Sequence, residues 1–479
     1  MNGTPVPRAR SGHTCRTTRR FARRAAACAA LLALLAAPAC LAAAAPQAGA
    51  AAVSGDELWR QVYDGPGGFS DLANDLVLAP GGEAVYVTGS LMPEGAVKSD
   101  LGLIKYRPNG SRAWLRTYDG AVHGNDEGEA LACDRAGNVY VGGFTDTATG
   151  EDFLLVKYDA AGRRKWARTY DGAAHGNERI AALAVDAKGN VYAAGRSDGS
   201  GSSWDAALVK WTPSGKRAWV RRYNGAGNLA DEFRALVIDT SHGRIYAGGI
   251  ATVGEFTKGW LLIRYSVRGK RVWTKVFSAL DRIADSSSLA LTPGGAVLQA
   301  GSYGKTPVLP PRAVLGQWTA AGALAWSDGM TGTGQDYFAD IAVDRHGAIF
   351  AVGIGWNPSG NTDALLCRFT PGGTLDNFVT IGGADYDDRF SAVACDAAGN
   401  VYATGAWGTE LYGADYLTEK FSNDLEVRWQ RRTREHDVAW SDVPQAIAVR
   451  TGANAGVYVT GRGSQTAVTW DWLTIKYKP

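Results

Sequence analysis

The chain has 479 residues, 46% of them hydrophobic, with 50 basic and 47 acidic side chains. So even a balance leaves no electrostatic footprint for nucleic acid. The six cysteines fall in no zinc-ligand spacing, which excludes that class of metal module.

Residues 1–50 differ from everything after them. Arg8, Arg10, Arg16, Arg19, Arg20, Arg23 and Arg24 stand there without an acid, an Ala/Leu run fills 25–37, and small residues follow to Ala48-Gly49-Ala50. This basic, apolar and small-residue order predicts a secretory signal peptide over 1–50, its apolar run shorter than the ~20 residues of a spanning helix. Two variants are Cys40 as a lipid-attachment residue and Arg19-Arg20-Phe21 as part of a twin-arginine signal. Without the seven leader arginines, 43 basic side chains face 47 acidic ones, a net charge of about −4. The expected mature chain, 51–479, is a secreted or cell-envelope protein, monomeric and without a transmembrane segment.

After "ELWRQVYDG" the chain repeats a four-strand unit eight times. In the unit from Ile180 to Gly225, "IAALAVD" is the first strand, "AKGN" a turn and "VYAAG" the second strand. A variable loop leads to "DAALVKW", and "TPSGK" turns into "RAWVRRYNG". Period-two alternation with β-branched and aromatic residues, broken by Gly, Pro and Asn, marks strands throughout. The second strands recur at 85–89, 139–143, 191–195, 245–249, 297–301, 349–353, 401–405 and 457–461. Fourth strands carry Trp59, Trp114, Trp166, Trp219, Trp273, Trp326, Phe378 and Trp429, spaced 51 to 55 residues apart. That period predicts an all-β fold, an eight-bladed β-propeller of four-stranded antiparallel blades. "DWLTIKYKP" ends in a third strand, so the orphan N-terminal strand is expected to complete the last blade and close the ring. Because the tryptophan recurs blade after blade, its expected role is packing between blades, not sugar stacking.

The segments "LACDRAGNVYVGG", "LAVDAKGNVYAAG" and "VACDAAGNVYATG", followed by units such as "DFLLVKYDAAGRRKW", resemble the bacterial SBBP-type β-propeller repeat family of exported proteins. The resemblance covers most of 56–479 and fades in the fifth unit and in the eighth, where Arg450 replaces Asp. It implies a scaffold and assigns no activity. "KYDAAGRRKW" is also similar to the tryptophan-docking motif of eight-bladed quinoprotein-like propellers. The vicinal cysteine pair typical of the quinone enzymes is absent here.

Connections from the second to the third strand, and from the fourth to the next first strand, vary most. They are expected on one face, where recognition would occur. An acid precedes each first strand there: Asp126, Glu178, Asp231, Asp285, Asp336, Asp388 and Asp442, with Asp71 in the first blade. These carboxylates are expected either to accept backbone N–H bonds or to form a cation-holding rim, calcium being the cation considered. His123 and His175 sit in matching "DGAVHGND" and "DGAAHGNE" loops, and Trp204, Trp356, Trp407, Tyr412, Trp440 and Trp470 lie in or beside variable loops. Together they form the candidate ligand-binding set for a protein or glycan. Basic turns on blades 1 to 4, such as Arg163-Arg164-Lys165, mark the other face as a solvated edge or an anionic-polymer contact. No HExxH or phosphate-loop motif occurs, and no GxSxG elbow at a strand-to-helix turn is expected, so no catalytic residue or cofactor is expected. The alternatives are a polysaccharide-active propeller enzyme and an envelope-assembly lipoprotein.

Overall fold

The computed structural model describes residues 55–479 except 255–256, 279–282, 306–308, 331–334, 358, 384–385, 410–412, 435–440 and 467–468. The expected leader and Cys40 lie outside the described residues, as do Tyr412 and Trp440.

Eight four-stranded antiparallel sheets form a closed ring, with Pro80–Gly82 the one helical turn among the described residues. Blades 1 to 8 open at Leu72, Asp126, Glu178, Asp231, Ile283, Tyr337, Arg389 and Val443. In blades 1 to 7, chain order is also spatial order from the innermost strand outward. Blade 8 takes Val443–Arg450, Gly456–Thr466 and Thr469–Tyr477 from the C-terminal region, and Glu57–Tyr63 supplies its outer strand. Arg60 pairs with Ile475 and Tyr63 with Trp472, as the orphan strand in the sequence predicts. The seam to blade 1 is sealed by Trp472, whose indole N–H donates to the Ser90 carbonyl at 3.0 Å.

The repeated residues each have a mechanical reason. In the turn after the first strand of blade 3, Asp186 Oδ1 accepts the N–H groups of Lys188 and Asn190, both at 2.9 Å. Its Oδ2 accepts the Asn190 amide at 2.7 Å and the Tyr192 hydroxyl at 3.1 Å. Asp134 and Asp396 repeat this pattern with Asn138 and Tyr140, and with Asn400 and Tyr402. "DxxGNVY" is thus one hydrogen-bonded unit built on an Asx turn. The second-strand glycine answers a bulge in the innermost strand: a Cβ at Gly195 would overlap the Arg179 carbonyl, and one at Gly405 the Arg389 carbonyl.

Fourth-strand tryptophans pack across blades, as expected. Trp59, Trp166 and Trp273 donate from Nε1 to the carbonyls of Pro108, Pro213 and Ala320 in the next blade, at 2.9, 3.1 and 3.0 Å. Beside each indole lies the glycine of that same turn: Gly110, Gly215 and Gly322. The third-strand lysine completes the joint. Lys157 Nζ lies 4.9 Å from the Tyr140 ring centre and Lys210 Nζ 4.8 Å from that of Tyr192, while Lys210 also reaches the Val267 carbonyl at 3.0 Å. The blade interiors bury Leu, Val, Ile and Ala from the middle strands, so each blade-to-blade interface is a small core.

Candidate functional site

The variable connections emerge at the end of the ring where the innermost strands begin. The acids found by sequence sit there, and most are fully covered. Asp71, Asp126, Glu178, Asp231, Asp336, Asp388 and Asp442 are all buried. Their oxygens tie the loop entering a blade to the loop leaving its second strand. Asp71 accepts Gly65 N–H at 2.5 Å and Met92 N–H at 2.7 Å. Asp231 accepts Gly225 and Thr252 N–H at 2.5 and 3.0 Å, and Asp388 accepts Gly383 and Gly408 N–H at 3.0 and 2.7 Å. Glu178 takes the Ser197 hydroxyl and the Asp198 N–H, Asp336 the Trp356 N–H, and Asp442 the N–H and hydroxyl of Ser464. Asp285 differs: it is partly exposed and ion-pairs with Arg234.

Three junctions collect further acid. One carboxylate oxygen from each of Asp100, Asp119 and Asp126 lies within 4.8 Å of the others, as in the sets Asp152, Asp171, Glu178 and Asp64, Asp71, Asp471. Burial pushes Asp71, Asp100 and Asp152 up to about 6. His123 and His175 are exposed, at φ +52° and +53°, and their Nδ1 atoms hydrogen-bond Asp119 and Asp171 at 2.6 and 2.5 Å. Those bonds raise both imidazole pKa values. The next junction is different in kind. Asn224 replaces the loop Asp, Asn228 replaces the His, and Arg222 ion-pairs with Asp205 at 3.0 Å.

The aromatic candidates separate. Trp204 lies under Arg196 at 3.9 Å, Trp407 under Arg432 at 3.2 Å and Trp470 under Arg462 at 5.1 Å. These indoles support guanidinium groups. Trp356 is 40% exposed and is the most open of the four. On the opposite face the basic turns are partly engaged, with Arg112, Arg164 and Arg217 over Tyr63, Tyr118 and Tyr170 of the preceding blade.

The sequence candidates do not converge on one point. A cavity of about 630 Å³ opens instead where blades 6, 7 and 8 meet, lined by residues that include Asn361, Tyr386, Arg389, Thr409, Ser441 and Arg462. None of these was singled out from the sequence. Arg389 directly follows an acid in "DDRF" and Arg462 lies in "GRG", so the only local signal is an arginine at each loop-facing strand end.

No protein-family model matches the chain, and no curated protein matches it. Among solved structures, Sqt1 of Chaetomium thermophilum bound to the N-terminus of the ribosomal protein L10 is 12% identical, with a TM-score of 0.56 over 86% of this chain and 98% of that one. A second structure of that Sqt1 gives 13% identity and a TM-score of 0.54 over 89% and 99% of the two chains. The periplasmic gluconolactonase PpgL of Pseudomonas aeruginosa is 11% identical, with a TM-score of 0.40 over 64% and 84%. At these identities the Sqt1 likeness establishes the propeller fold alone.

Proposed function

We propose that this chain is an exported, non-catalytic binding scaffold of the SBBP propeller type, holding a glycan or protein ligand on its variable-loop face. The observation that carries this reading is the cavity shared by blades 6, 7 and 8 on that face. Its two arginines stand on strands of blades 7 and 8, and its other polar side chains on the loops that those blades and blade 6 hold in place. Among the described residues its lining holds hydroxyls, guanidinium groups and the Asp387 carboxylate, but neither histidine nor cysteine. It therefore offers groups that bind and orient without the nucleophile–base pair that hydrolysis by a serine or cysteine needs. The carboxylates nearest the loops are spent on backbone N–H groups, which supports a structural part for them in place of general acid–base work.

A thermal-unfolding screen against neutral glycans, acidic glycans and peptides tests the proposal. A ligand of the native state raises the melting temperature, and the scaffold reading expects such a shift with the ligand recovered intact. Recovery of a cleaved ligand would replace the scaffold with an enzyme.

A further inference from the structure

Several arginines elsewhere on this face have carboxylate partners. Arg179 meets Glu151, Arg196 meets Glu232, Arg222 meets Asp205, Arg234 meets Glu232, and Arg434 meets Asp415. Among the described residues, the two that enter the cavity have none. Among the described residues the Arg389 side chain makes no hydrogen bond or ion pair. Arg462 rests on the Trp470 ring, and its buried Nε has no hydrogen-bond partner. Asp387 also lines the cavity, but its carboxylate is engaged by Thr362, through its N–H at 2.9 Å and its hydroxyl at 3.1 Å. Arg389 is exposed, yet the protein crowded around its guanidinium and the repulsion of Arg462 pull its pKa down, with Asp387 opposing them. Two like charges with open donor forks facing one cavity call for an anion between them.

The rest of the lining narrows the anion. Asn361, Tyr386, Thr409 and Ser441 bring amide and hydroxyl groups, whereas the apolar lining is limited to small side chains such as Ala406, Ala414 and Val443. Such walls match a ring carrying several hydroxyls and offer no pocket for the larger apolar side chains of a peptide. The volume of about 630 Å³ falls within the ordinary range for small-ligand pockets.

We infer that this cavity binds a uronate residue of an acidic polysaccharide, with its carboxylate held between Arg389 and Arg462. Asn361, Tyr386, Thr409 and Ser441 meet its hydroxyls. The inference rests on the ligand-binding reading of the same face and gives that reading its ligand class.

Titration calorimetry on the full chain tests it with three probes at equal ionic strength: tetragalacturonate, its fully methyl-esterified form, and a tetraglutamate peptide. Tetragalacturonate should bind saturably and the ester roughly tenfold or more weakly, because esterification removes the charge the arginines grip. Arg389→Gln and Arg462→Gln should each cost a similar factor while the free protein keeps its cooperative unfolding transition. Equal binding of acid and ester, or indifference to both substitutions, overturns the inference. Preferred binding of tetraglutamate that is lost with the same substitutions also overturns it, and assigns the cavity to an acidic protein segment. If none of the three probes binds, the uronate inference falls alone. The scaffold reading is then judged by the thermal screen, where a ligand that stabilises the Arg389→Gln and wild-type chains equally would sustain it.

Discussion

The indole of Trp114 abuts the backbone of Gly162 in the following blade so closely that a Cβ there would lie 2.9 Å from the ring. Trp219 and Gly269 repeat the pair at 2.8 Å. One blade departs from it on both sides at once: Phe378 stands for the tryptophan, and Leu425 holds the turn position at φ +65°. Leu425 buries its own side chain in the interblade core, filling the place where a glycine would receive an indole. Phe378→Trp alone should therefore be neutral or destabilising. The double variant with Leu425→Gly should recover a favourable coupling of about 1 kcal/mol in a double-mutant cycle read by denaturant unfolding.

Trp59 seals the ring from its closing strand. Its indole donates to Pro108 at 2.9 Å and lies 6.0 Å from the ring centres of both Tyr106 and Tyr458. Trp59→Ala should cost about 2 kcal/mol, less than the ~3–5 of a fully buried tryptophan because Trp59 is only half-buried. Limited proteolysis should then cut first within 55–63. A loss of stability without early cleavage there would place the weak point elsewhere.

Asp186 holds two backbone N–H groups, one amide and one hydroxyl. Asp186→Ala removes all four bonds and should destabilise by about 2–3 kcal/mol. Asp186→Asn keeps the acceptor oxygen and should lose less. Chemical denaturation of the two variants checks the order.

Stability should rise as the pH falls from about 7.5 to about 5. Burial pushes Asp71, Asp100, Asp152 and Asp388 up to about 6, and Asp75 and Glu129 up to about 7. A carboxyl whose folded pKa is raised binds more proton in the native state, so it strains the fold once ionised and relaxes it once protonated. Asp159, Asp186 and Asp239, whose pKa values hydrogen bonds pull down, oppose this only at lower pH, as they become protonated. Melting temperature against pH should therefore peak in the mildly acidic range. Asp100→Asn with Asp152→Asn should flatten the rise.

The ring, its strands and its closure were legible because each is written in local periodicity: the alternation, the "DxxGNVY" turn and the recurring tryptophan. The acids before each first strand were visible for the same reason, and seven of the eight proved buried against backbone N–H groups or hydroxyls. What escaped was convergence. Arg389 and Arg462 line one cavity from different blades, 7 and 8, and nothing in the spacing of "DRF" and "GRG" records that meeting. The sequence also did not show that Trp204, Trp407 and Trp470 pack against guanidinium groups. Arg196 and Arg462 precede Trp204 and Trp470 by only eight residues and Arg432 follows Trp407 by 25, so it is the strand pairing that brings each guanidinium over its ring.

The strand Glu57–Tyr63 emerges early in synthesis, yet its partner Thr469–Tyr477 is among the last segments made. Contacts across the same seam, such as Trp472 to Ser90, bridge 382 positions. Ordering so long a polymer before any reward arrives is slow, so the annulus should lock in a late kinetic phase, after local hairpins have formed. Until then the waiting strand and the unfinished rim are both open to pairing with a neighbouring chain. Dilution during refolding should therefore raise the yield of monomer.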